Sequence, residues 1–135
     1  MHGLVSCDRN PLKARVQVNR GSCVQALDIS VRAIRDYAAV NGHLPKASTS
    51  LTNLGEFSVP AEAASIVEYG GTASMTPQSP GRTIILKCSS PVRLQDGTTG
   101  IYCGLLSGEV VILSAQAAVL GTVCTGPVQT VSPDR

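Results

Sequence analysis

The sequence predicts an α+β fold, with one long N-terminal helix packed on an antiparallel sheet of about four strands. Three observations lead there. Val24, Leu27, Val31, Ile34 and Ala38 recur at alternating steps of three and four, which gathers them on one face of a helix, while Asp28, Arg32, Arg35 and Asp36 fall mostly on the other side. That stripe runs into Asn41-Gly42 and then Pro45: glycine reaches the left-handed cap conformation without a Cβ clash, and proline prevents the helix from resuming. Everything downstream consists of short apolar, β-branched runs bounded by turn residues.

In order along the chain, residues 1–10 read as a leader or expression-derived segment and residues 11–135 as a single domain. Asn10-Pro11 suits an N-cap followed by the first helical position, so the helix is expected over about 11–41, ~45 Å of rod. Gly21-Ser22 interrupts it at a cost of ~1 kcal/mol relative to alanine, which can kink or fray the first turns. Residues 42–64 are rich in Ser, Thr, Gly and Pro and read as a loop with one short helical turn at 61–65. Strands are expected at 65–69, 83–88, 100–106 and 109–113, with a hairpin turn at Asp96-Gly97. Residues 114–121 are ambiguous between strand and helical turn, the sheet and C-terminal loop close at 124, and the tail 125–135 reads as loose.

Composition narrows the function. The chain has 135 residues, enough for one domain with a core. Hydrophobic residues make up 43% but aromatics only 3%, so the core is built of Val, Ile, Leu and Ala, and few rings are offered for stacking bases. A net charge of +2 from scattered basic residues implies no polyanion partner and no dedicated nucleic-acid site. No run of about 18 apolar residues is present to span a membrane, and no signal-peptide core is visible.

No active site is legible. The two histidines are His2, in the leader, and His43, a loop residue expected to be solvent-exposed. Nucleophile elbows and phosphate-binding glycine loops are missing. Spacing does not favour a meeting of Glu56, Glu62, Glu68 or Glu109, and Asp96 by itself makes no calcium loop. The expectation is a non-enzyme with no cofactor, no metal site and no catalytic residue. The stripe Val24, Leu27, Val31, Ile34, Ala38 is expected to be core.

The helix exit, Asp36-Tyr37-Ala38-Ala39 followed by Asn41-Gly42 and Pro45, resembles the end of the long N-terminal helix of bacterial type IV pilins and pseudopilins. Lys13-Ala-Arg-Val-Gln-Val18 fits the same helix earlier, and Gly100-Ile-Tyr-Cys103 with Cys124 resembles the paired cysteines that close the C-terminal loop of many pilins. The resemblance covers roughly residues 12–124. It implies a pilin-like head domain: a filament subunit anchored in the membrane before assembly, polymerising with copies of itself and other pilins through an apolar N-terminal half-helix, and handled by a pilus assembly machine. The place implied is a bacterial surface filament or the periplasmic side of the inner membrane, with adhesion, motility or DNA uptake as roles. The processed leader and apolar half-helix of that family do not occur here; the expectation is a soluble truncation, the alternative a chain that is not a pilin. A secretion-system pseudopilin and a small extracytoplasmic binding module unrelated to filaments remain as alternative functions.

The five cysteines are Cys7, Cys23, Cys88, Cys103 and Cys124. The resemblance implies a bridge between Cys103 and Cys124, a closure worth ~3 kcal/mol in the chain-entropy treatment, and that bridge leans toward a pilin over a pseudopilin. Cys23 with Cys88 would tie helix to sheet. Cys88 with Cys103 is a rival pairing, and five reduced, buried thiols are a further reading. Cys7 is the expected free thiol. These spacings do not make a zinc site.

Overall fold

A computed structural model describes residues 4–6, 20–93, 97–125 and 128–131. Helix α1 (Arg20–Asn41) passes through Gly21 and Ser22 without interruption; the expected start at Asn10-Pro11 lies outside the described residues. Its end has the cap chemistry expected. Gly42 takes φ +82° and donates its N–H to the Ala38 carbonyl at 2.8 Å, while Asn41 Nδ2 donates to the Tyr37 carbonyl at 2.9 Å. The loop that follows holds a single 3-10 turn (Gly55–Phe57) and a one-turn helix, α2 (Ala61–Ala64).

Eight strands are described: β1 (Leu4–Ser6), β2 (Val67–Tyr69), β3 (Ile84–Cys88), β4 (Val92–Arg93), β5 (Thr99–Leu105), β6 (Val110–Ser114), β7 (Val123–Thr125) and β8 (Gln129–Thr130). Six of them form one antiparallel sheet in the order β2-β3-β5-β6-β8, with β4 continuing β3 along the same edge of β5. The molecule is therefore α+β, with more strands than the four expected. The additions are two-residue pairings, β4 on β5 and β8 on β6, formed by residues without a strand-like pattern of their own. The tail is thus not wholly loose: Gln129 pairs with Ile112 and Thr130 with Val111. Of the hairpin turn expected at Asp96-Gly97, Gly97 takes φ +89°, while Asp96 lies outside the described residues, as do 132–135.

A second, smaller element was not foreseen. β1, in the segment read as a leader, pairs in parallel with β7, Val5 opposite Cys124. β7 is in turn stitched to the start of β3, where Ile84 N–H donates to the Thr122 carbonyl at 2.8 Å and Cys124 N–H to the Arg82 carbonyl at 3.0 Å. The ambiguous residues after β6 form turns, with the Ala117 and Ala118 N–H groups both donating to the Ser114 carbonyl.

The sheet is covered on both faces. On one, α1 lays Val24, Leu27, Val31, Ile34 and Ala38, each at most 1% exposed, against Ile85, Leu86, Tyr102, Leu106 and Ile112. On the other, Ile84, Cys103, Leu105, Val111 and Leu113 pack with Ala117, Ala118 and Cys124. Strand β6 is consequently buried at all five positions instead of alternating.

Candidate functional site

Cys23 in the first turns of α1 is bonded to Cys88 at the end of β3, Cα–Cα 6.0 Å, so the rod is covalently tied to the sheet it covers. The bridge expected between Cys103 and Cys124 does not form. Cys103 is a free, buried thiol and Cys124 is disulfide-bonded without it. The rival Cys88–Cys103 pairing fails for a geometric reason. Cys103 stands opposite Lys87, so the pleat turns Cys88 to the helix side of the sheet and Cys103 to the far side. Cys7 lies outside the described residues. The lean toward a pilin over a pseudopilin rested on the bridge that is missing, and it lapses.

Beside the C-terminal half of α1 is an open cleft of about 370 Å³, lined by Arg35, Ala38, Ala39, Pro77, Leu106 and Ser107. Its one charged group, Arg35, donates from Nη1 to the carbonyl of Ser107 and, at 3.5 Å, to that of Leu106. The guanidinium thus clamps the β5–β6 turn to the helix, a turn that needs glycine at 108 because φ there is +104°. The polar side chains of the cleft are Arg35 and Ser107, and the Arg35 guanidinium is engaged in holding the two elements together.

Three of the four aromatic residues, Tyr37, Phe57 and Tyr69, gather at the far end of the helix; the fourth, Tyr102, is in the core. Tyr37 meets His43 and Phe57 edge-on, ring centroids 6.1 and 6.4 Å apart. His43 is half-buried instead of exposed, its Nδ1 2.8 Å from the Leu44 carbonyl. Tyr69 joins the same region, donating its hydroxyl to the Pro45 carbonyl at 2.7 Å; burial first and the neighbouring Tyr37 second push its phenol well above the ordinary tyrosine range. Together these rings latch the loop after α1 onto the helix.

No group of three or more His, Cys, Asp or Glu side chains able to hold a metal occurs among the described residues. No helix among them is long and apolar enough to cross a membrane. The expected stripe residues lie in the core, where they make the fold. The Arg35 clamp and the ring latch were missed because each joins residues distant in sequence. The chain matches no family model, no curated protein and no solved structure.

Proposed function

We propose that this chain is the head domain of a structural subunit in a type IV pilus-like bacterial surface filament, and not an enzyme. The observation that carries the reading is α1: a single long helix that buries one face along an antiparallel sheet and is bonded to it through Cys23–Cys88. A head of this kind would sit on the periplasmic side of the inner membrane before assembly and on the cell surface afterwards. Its partners would be copies of itself, other pilins and an assembly machine, reached through an apolar N-terminal half-helix upstream of β1. The free Cys103 puts a secretion-system pseudopilin on an equal footing with a pilin. A small extracytoplasmic binding module is the reading outside the filament class.

The gene and the cell test this together. The reading expects coding sequence upstream that supplies a leader ending in glycine and about 20 apolar residues, and antibodies to the domain that label sheared surface filaments. A gene beginning at Met1 with no labelled filament or secretion apparatus overturns it in favour of a binding module.

A further inference from the structure

The outer side of α1 carries two large hydrophobic residues that the core does not use, Ile29 at 42% and Val40 at 70% exposure. They are eleven positions apart, three helical turns, which places them ~16 Å apart and within ~20° of the same direction. Between them on that face stand Arg32 and Asp36. Arg32 is highly exposed and bound only to Asp28 of its own helix, at 3.2 Å; Asp36 is exposed and in no ion pair among the described residues. Alongside Ile29 runs a shallow groove of about 220 Å³ between α1 and α2, lined by Ala26, Ala63 and Ile66 together with Ser22, Gln25 and the exposed Glu62. The face thus has an apolar knob at one end, a groove of mixed lining beside Ile29 at the other, and one charge of each sign between.

We propose that this face is a self-association surface, on which a second copy of the chain packs with its α1 antiparallel. A twofold axis crossing the helix at the level of Ile34 sets Arg32 of each copy against Asp36 of the other. The same operation lowers Val40 of each copy over residues 26–29 of its partner, into the groove beside Ile29. One axis satisfies both charge pairs and seats both knobs, as an isologous contact requires. A parallel pairing would set Arg32 against Arg32 and Asp36 against Asp36. The contact is one helix face wide, smaller than a standard stable interface, so the dimer is weak, with Kd on the order of 0.1–1 mM. This inference stands on the face of α1 alone and is independent of the filament reading.

Sedimentation velocity of the full chain tests it over concentrations from about 10 µM to about 1 mM, the span on either side of that Kd. Reversible dimerisation is expected, and Val40→Asp should raise Kd more than tenfold with an unchanged circular dichroism spectrum. Arg32→Asp and Asp36→Arg each leave the face with one sign of charge, so each by itself should associate about tenfold more weakly, ~1.4 kcal/mol. Mixed one to one, the two variants are complementary and should recover association. A chain that stays monomeric throughout, or a mixture no better than either variant by itself, overturns the proposal.

Discussion

Cys103 is fully buried at the centre of β5, on the sheet face away from α1, and its thiol donates weakly to the Ile101 carbonyl at 3.6 Å. Burial pushes the thiol from its ordinary value of 9.0 up to about 12, and the Lys87 ammonium opposite only partly offsets this. The fold therefore holds the neutral form. Its contribution to stability is complete below about pH 9, the unfolded thiol's value, and is lost progressively as pH rises from there toward 12. The raised phenol of Tyr69 acts in the same direction at still higher pH. Melting temperature should fall between pH 8 and pH 11, less steeply in Cys103→Ala. Iodoacetamide at pH 8 should leave Cys103 unmodified in the folded protein and alkylate it in urea, as read by mass spectrometry. Rapid native alkylation would contradict the burial.

At the scale of elements, α1 and β3 are joined by the Cys23–Cys88 bridge across a sequence separation of 65. A closure of that length stabilises by roughly 4 kcal/mol in the chain-entropy treatment. Replacing both cysteines with alanine should lower the melting temperature by on the order of 10 °C and leave the far-ultraviolet circular dichroism near native at low temperature. An unchanged melt would mean the two thiols are not bonded in the purified protein. The buried face and the exit of the helix were legible; its expected start lies outside the described residues, and the interruption expected at Gly21-Ser22 does not occur. The stripe, its Gly42 cap and its stop before Pro45 are set by contacts three and four residues apart, and such contacts are written in the local sequence. Strands β2, β3, β5 and β6 were legible as bounded apolar runs. β4, β8 and β1 were not, because each is two or three residues long and exists only where a neighbouring strand offers an edge.

The whole molecule is a sheet sandwiched between unequal covers, α1 on one side and the segment 115–125 on the other. Each cover is required. Ile34→Asp places a charge in the helix-side core and should unfold the domain. Leu113→Ala, in the cluster on the face of the sheet away from α1, should still cost ~2–5 kcal/mol by urea denaturation. If Leu113→Ala is neutral, the far cover is not packed and the sheet is one-sided.

The sequence by itself determined the helix, its buried face and its exit, the main strands, and a core of aliphatic side chains, because these follow from periodicity and turn chemistry within a few residues. Tertiary structure alone decided which cysteines meet, where Arg35 clamps, how the rings latch the loop, and that the sheet is covered twice. Those outcomes depend on strand register and on which side of the pleat a residue faces. A shift of one residue reverses that side, and no local pattern records it.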